Sequence, residues 1–377
     1  MGPDFTPFMR EAIALAERGR WYAAPNPTVG AVLVRDGEVA ARGWHTGYGK
    51  PHAEVECLRD AASKGVDPAH CTLVVTLEPC NHHGKTPPCS HAIVEAGITR
   101  VVVGLADPNP VASGGAEYLR AHGVTVDMGV CEQECHDLVA DFLTWKLTDL
   151  PYVILKLAST LDGRIATRSG HSQWISGAEA RAAVHELRAR IGEAGGAVLV
   201  GGTTLYTDDP QLTARVAPVP RRQPMAVVAT RHVPHHDALP RIFRERPGQC
   251  VVWTDSTGAG AEAADALRTS GVCIMALPLT PSGRLDLRAG LTRLRADHGV
   301  EHVLCEGGGK LALSLLEAGL VGEFHLHMAP KIIGDAEAAP LFDGRAPLHM
   351  DEALRLRMTG IERRGDDCIM ILRPGKG

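Results

Sequence analysis

Short apolar runs bounded by turn residues alternate with helix-period segments in two successive series, and this alternation constrains the fold more than any other feature. In the first series the runs cover 28–34, 39–44, 72–77, 101–105 and 124–128, and the strand signal ends near Val130. Asp36-Gly37 joins the first two runs. That pair is a hairpin signal, because a tight turn of this kind needs positive φ at both central positions. Helical patterns fall between the later runs, at 53–62, 89–95 and 115–122. The second series opens after Pro151 with 152–157 and continues at 197–200, 225–229, 250–254, 302–305 and 324–328. Helices are expected there at 178–190, 261–269 and 310–318, and the proline-rich stretch 216–224 reads as a loop. Strands alternating with helices imply layered α/β domains, and 377 residues leave room for about two or three. The boundary is expected at 149–151, giving domains 1–149 and 150–377.

The charge balance narrows the function. Forty-four acidic residues against 39 basic ones give a net charge of −5, whereas nucleic-acid binders usually carry a basic excess. No apolar run approaches the length of a membrane span. The opening Met1-Gly2-Pro3-Asp4-Phe5 lacks a basic stretch followed by an apolar one, so a cytoplasmic chain without a leader is expected. Ten cysteines are scattered over both halves, which favours buried thiols and metal ligands over a disulfide framework.

In the first half, His52-Ala53-Glu54 opens a helical pattern after Pro51, and Glu78-Pro79-Cys80 follows the run 72–77. Cys89, entered through two prolines, starts the next helix. His52, Cys80 and Cys89 offer one imidazole and two thiols. Three such ligands leave the fourth tetrahedral position of Zn²⁺ open for water, whose pKa the metal lowers towards neutrality. Glu54 is then the candidate proton carrier, and Glu78 is assigned to the strand end. Residues i and i+2 point about 200° apart in a regular helix. His52 and Glu54 can therefore share a site only in an irregular first turn. His82 and His83 are expected as solvated or substrate-side loop residues rather than extra ligands, and Cys131-x3-Cys135-His136 as a packed helix face.

The second half carries four further segments: Lys156 to Ala166 with an Asp162-Gly163 turn, Ser169 to Ser176, Gly201-Gly202 through Arg215, and Glu306-Gly307-Gly308-Gly309-Lys310. Glycine turns that follow a strand and open a helix let backbone N–H groups approach a phosphate. The spacing is neither a Walker loop nor a clean Rossmann fingerprint.

His-x-Glu and Pro-Cys match the zinc nucleobase deaminase signature, but eight residues separate Cys80 from Cys89 where that signature has two. Together with Pro25-Asn26-Pro27-Thr28-Val29-Gly30, Gly43-Trp44-His45 and His83-Gly84-Lys85-Thr86-Pro87-Pro88-Cys89, the insert resembles the deaminase half of the bifunctional riboflavin-biosynthesis enzymes. The four later segments resemble the reductase half of the same family. The resemblance implies a cytidine-deaminase-like N-terminal domain and a dihydrofolate-reductase-like C-terminal domain. It also implies zinc and NADPH as cofactors, a small pyrimidine ribonucleotide-like substrate and a homo-oligomer. The reactions implied are deamination of 2,5-diamino-6-(5-phosphoribosylamino)pyrimidin-4(3H)-one, then NADPH-dependent reduction of its ribosyl group to ribityl, giving 5-amino-6-(5-phosphoribitylamino)uracil. Carried over by motif, Asn26, His45 and Lys85 are deaminase substrate contacts. Lys156, Ser172, Arg188, Leu212, Arg215 and Glu306 are those of the reductase. The cofactor contacts would be Ala158, Trp174, Thr204, Asp208, Gly308, Gly309, Lys310, Leu311 and Ala312. The alternatives are a nucleic-acid-directed zinc deaminase with a C-terminal binding module, and a non-catalytic paralogue. The net charge and the long insert count against the first, and intact His52, Glu54, Cys80 and Cys89 against the second.

Overall fold

A computed structural model describes residues 3–82, 87–109, 113–234 and 239–375. The chain divides into two compact units, Met1–Thr148 and Asp149–Gly377. No described helix is long and apolar enough to cross a membrane.

In the first unit, β1 (Gly30–Arg35) and β2 (Glu38–Trp44) form the expected hairpin, with φ of 53° at Asp36 and 78° at Gly37. Next come β3 (Thr72–Leu77), β4 (Arg100–Leu105) and β5 (Thr125–Met128). The sheet runs β2-β1-β3-β4-β5, with the last three strands parallel. Alternation along β1 sends Ala31 and Leu33 to one face and Val32 and Val34 to the other, and all are buried. The first face is covered by α2 (Ala53–Ser63), α3 (Cys89–Glu95) and α4 (Gly115–Ala121) through Ala53, Cys57, Ile93 and Leu119. On the second lie α1 (Thr6–Ala16) and α5 (Glu132–Leu138), with Met9, Ala12, Leu15 and Cys135, followed by α6 (Ala140–Leu147). Cys135 is thus a packed core thiol, and burial pushes it up to about 12. Gly43 allows close approach: a Cβ there would lie 2.2 Å from Cys57 N on α2.

The second unit is built on β6 (Tyr152–Thr160), β8 (Ala197–Gly201), β9 (Met225–Ala229), β10 (Cys250–Thr254), β11 (Cys273–Ala276), β12 (His302–Cys305) and β13 (Glu323–Ala329), all parallel. An antiparallel hairpin, β15 (Leu356–Arg364) and β16 (Asp367–Pro374), extends the sheet beyond β13, while β7 (Arg164–Ala166) pairs with β14 (Ala339–Pro340) apart from it. The strand order is β11-β10-β9-β8-β12-β6-β13-β16-β15. The long connections are α7 (Ala178–Glu193), α8 (Gly202–Asp208), α9 (Arg241–Glu245), α10 (Ser256–Ala259), α11 (Glu262–Thr269), α12 (Leu287–His298) and α13 (Gly309–Glu317).

Val153, Leu155 and Leu157 of β6 face a core with Trp253, Leu291, Leu315 and Phe324. The opposite face is partly ionic. There Arg373 donates from Nη2 to the buried Glu323 carboxylate at 2.6 Å and from Nη1 to Tyr152 Oη at 2.7 Å. His325 Nε2 meets the other oxygen of Glu323 at 2.6 Å. Removing one partner of a buried pair strands a charge and costs about 3–5 kcal/mol. Arg373→Ala is therefore expected to lower the second unit's unfolding free energy by that order, read from a lowered denaturant midpoint. Arg168→Ala, which breaks the exposed pair with Asp335, should leave the midpoint nearly unchanged.

Candidate active sites

In the first unit the ends of three elements converge. His52 is the N-cap of α2, with ψ of 165°, so it stands outside the helical turn that Glu54 enters. The geometric difficulty of the i, i+2 spacing is resolved this way. Cys80 lies just beyond β3, and Cys89 is the first residue of α3. His52 Nδ1 is 3.6 Å from Cys80 Sγ and 3.3 Å from Cys89 Sγ, and the three ligand atoms lie within 4.8 Å of one another. Tetrahedral zinc with ordinary Zn–N and Zn–S bonds sets N···S separations of about 3.6 Å.

The two thiols are pushed in opposite directions by their mutual contact. The Cys89 hydrogen bond holds Cys80 down to about 4, and the same contact, with burial, holds Cys89 well above the thiol range. Hydrogen bonding to Cys80 raises His52 against the opposing effect of burial. A divalent cation replaces thiol protons when thiolates ligate it, so the donor set fits zinc. Glu54 is only 3% exposed, and burial raises its carboxyl above the usual range.

A cavity of about 200 Å³ opens onto this cluster, lined among others by Asn26, His45, His52, Glu54, Cys80 and His82. His45 is buried and held below the usual imidazole range by desolvation, hence neutral. Its Nδ1 donates to Pro51 O at 2.9 Å, which leaves Nε2 to accept from Asn26 Nδ2 at 3.2 Å. His82 lies in the lining and outside the three-ligand cluster. His83 and Lys85 fall outside the described residues.

Sequence reasoning passed over Asp107 and Asn109, which also line the cavity. The Glu78 carboxylate ties their loop to the ligand strand, accepting from Asp107 N at 3.1 Å and Ala116 N at 2.9 Å. The available signal was positional, since β4 runs parallel beside β3 and its exit loop must emerge at the same edge.

In the second unit the candidates collect at the carboxyl ends of β6, β8 and β12. The chain order reverses there, because β12 returns between β8 and β6. Ligands of open α/β sheets bind at such a point. Arg188 on α7 grips Glu306 in a two-pronged ion pair, Nε–Oε1 2.6 Å and Nη2–Oε2 2.8 Å. Burial works to raise Glu306, but Arg188 outweighs it and the carboxyl sits below its usual range. Lys156, on β6, is pulled down by burial, with Glu306 opposing.

On the other side of the crevice, Gly308 N-caps α13 and leaves the N–H groups of its first turn open to a ligand. A Cβ on Gly308 would stand 4.0 Å from Thr204 Oγ1, so that residue of α8 faces the turn. Gly309 and Gly202 have no room for side chains, since a Cβ would come 2.2 Å from Leu341 O or 2.6 Å from Thr230 Oγ1. Those two glycines serve close packing, while the open backbone at Gly308 and the free N–H groups of the first turn of α13 fit a phosphate group. Leu311 packs on the core, and Ala312 is buried with its N–H bonded to Gly308 O, so neither offers a side chain to a ligand. Asp208 is half-buried at the end of α8, and burial raises its carboxyl. Ala158 lies near the end of β6. Ser172 and Trp174 stand on the loop before α7, where the Arg181 guanidinium lies 4.6 Å from the centre of the exposed Trp174 ring. Leu212 is buried and Arg215 lies three residues on, both in the segment after α8. Thr230, at the end of β9 against Gly202, is a crevice residue that the sequence reading missed.

Comparison with known proteins identifies both halves of the chain. The cytidine and deoxycytidylate deaminase zinc-binding region matches residues 5–105, and the RibD C-terminal domain matches 151–370. The chain is 37% identical to the riboflavin biosynthesis protein RibD of Aquifex aeolicus, with 97% of each chain covered. To the RibD of Escherichia coli it is 38% identical, over 97% of this chain and 98% of the other. A solved structure from Thermotoga maritima is described as a diaminohydroxyphosphoribosylaminopyrimidine deaminase/5-amino-6-(5-phosphoribosylamino)uracil reductase. It is 36% identical, covers 98% of this chain and 99% of its own, and superposes with a TM-score of 0.75. The match over 151–370 weighs against a nucleic-acid-binding module in the second half. With a cytidine-deaminase-like first half and a RibD-type reductase second half, the chain belongs to the RibD family, the zinc- and NADPH-dependent bifunctional deaminase–reductases of riboflavin biosynthesis.

Proposed function

We propose that residues 1–149 deaminate 2,5-diamino-6-(5-phosphoribosylamino)pyrimidin-4(3H)-one and that residues 150–377 reduce the deaminated product to 5-amino-6-(5-phosphoribitylamino)uracil. The observation that carries the reading is the convergence of His52, Cys80 and Cys89 beside the buried Glu54. In this reading the three side chains hold zinc. When bound, zinc lowers the pKa of a coordinated water and so makes a nucleophile available at neutral pH. Glu54 takes a proton from the attacking water and delivers it to the departing ammonia. The neutral His45 and its partner Asn26 orient the pyrimidine edge in the cavity.

When bound in the second unit, NADPH would supply the hydride that C1′ of the ring-opened sugar imine takes up, with a proton from solvent going to the imine nitrogen. The glycine turn at Gly308 and Gly309, with Thr204 across from it, holds the pyrophosphate. Arg188 and Glu306 shape the substrate side, with Lys156 in electrostatic contact with both and Arg215 as the anchor for the substrate's anionic phosphate. The acidic net charge and the small cavity support a small-molecule substrate without nucleic acid. Exposed Met358 and Ile361 on the edge strand β15 support a homo-oligomer, since a second copy would cover them.

Incubating the protein with the diaminopyrimidine phosphate and NADPH, and weighing the product by mass spectrometry, tests the whole sequence of steps. An unreduced deaminated product would leave the second half without its assigned activity. Metal analysis of the wild type should find about one zinc per chain, and Cys89→Ser should lose most of it because a ligand is gone. Glu54→Gln keeps the zinc but removes the titrating group, so deamination should fall at least about 10²-fold. Reduction of supplied deaminated intermediate should persist in that variant. Loss of both reactions in folded, zinc-loaded protein would mean one shared site.

A further inference from the structure

We propose that Gln223 is a positioning residue for the reductase, holding the segment 211–215 in the shape that presents Arg215 to the substrate's phosphate. The inference rests on the reading of that segment as a substrate contact. Gln223 stands in the loop 216–224, outside every motif that marks the family. Its side-chain amide pairs with both backbone groups of Ala214: Ala214 N donates to Oε1 at 2.7 Å, and Nε2 donates to Ala214 O at 3.1 Å. These two bonds reproduce strand pairing on a stretch that belongs to no strand.

The neighbours are held the same way. Arg246 Nη2 donates to Leu212 O at 3.2 Å, while Arg188 Nη1 donates to Thr213 O at 3.0 Å. Three consecutive carbonyls are thus each fixed by a side chain from a different part of the unit. Such reinforcement is needed, because Leu212 is left-handed with φ of 53° and only 1% exposed. A non-glycine residue keeps that conformation only when its surroundings over-determine it, and such residues cluster at ligand clamps.

Gln223 grips both the N–H and the C=O of the residue before Arg215, and Arg215 N donates to His185 Nδ1 at 3.4 Å, so Gln223 helps set the direction in which that side chain leaves the backbone. Arg215 forms no ion pair with a carboxylate among the described residues, and its guanidinium contact is Gln211 Oε1 at 3.4 Å. Burial, with the nearby Arg188 and Arg241, presses its pKa below the usual value. Cations gathered in this way, with one left unneutralised, suit a phosphate monoester.

Steady-state reduction by the full chain tests the proposal, with the deaminated intermediate and its phosphate-free riboside as alternative substrates. Gln223→Ala removes both bonds. Gln223→Glu keeps an acceptor for Ala214 N and loses the donor to Ala214 O. Both should raise KM for the phosphorylated substrate by roughly tenfold, as expected for a lost hydrogen bond that aims a charged contact. The KM for NADPH and that for the riboside should stay within about twofold, well under a tenfold effect. Wild-type KM for the phosphorylated substrate in both variants, alongside a raised KM in Arg215→Ala, would overturn the role of Gln223. An unchanged KM in Arg215→Ala would instead overturn the reading of the segment itself. If both Gln223 variants lost NADPH binding along with substrate binding, Gln223 would be merely structural and the proposal would fall.

Discussion

Parallel strand pairing is the constraint on which both units depend. A parallel neighbour can be reached only by a crossover, so every strand in the set leaves the sheet at the same edge. In the first unit this puts the exits of β3 and β4 side by side, Leu77 paired with Leu105. The loop that carries Cys80 therefore lies against the one that carries Asp107. In the second unit seven strands obey the same rule. Glycine turns, Glu306 and Thr230, though far apart in sequence, then reach one edge. Crossover helices cover both faces, which explains strands as apolar as β3 and β10.

Parallel pairing does not decide how close the helices come. In the first unit Gly43 brings α2 onto β2 so tightly that a methyl group would collide with the Cys57 backbone. This approach fixes the start of α2, and with it His52 and Glu54, relative to the sheet. In the second, Gly309 does the same for α13 against the carbonyl of Leu341. Both catalytic edges thus rely on a glycine for distance and on strand pairing for direction.

Much of this was legible from residue order. Asp36-Gly37 announced its turn because only a few residue types tolerate two positive φ values in succession. Strands buried on both faces, such as Met225–Ala229 and Cys250–Thr254, stood out as apolar runs between turn residues. The metal trio was legible because few other purposes bring one His and two Cys beside a Glu. What stayed hidden was whatever depends on a distant partner. The β15 strand is mostly exposed and shows no alternation, so only its pairing with β16 makes it a strand. Helix α12 does carry apolar residues at Leu287, Leu291 and Leu294, a helical spacing that was present and overlooked. The clamp on Ala214 gave no signal, because Gln223 sits in a proline-rich loop nine residues away. Glu323 and Arg373 lie far apart in sequence, and only the sheet brings them together.

Two buried glutamates stand in opposite electrostatic surroundings. Both Glu54 and Glu306 are withdrawn from water, and burial alone would favour the protonated form of each. They diverge through their neighbours. Glu306 faces a guanidinium in two-pronged contact, so it stays ionised and acts as a fixed charge that orients what lies near it. Glu54 has no such partner. Its nearest polar company is His52 and the cysteine pair, which pull its charge in opposite directions, and burial prevails. A carboxyl balanced in that way can accept a proton and give it back as charge develops beside it, which a group locked to an arginine cannot do. In the proposed reading, proton transfer takes place beside the thiols and the imidazole. In the same reading the Arg188–Glu306 pair gives the hydride step a steady electrostatic frame.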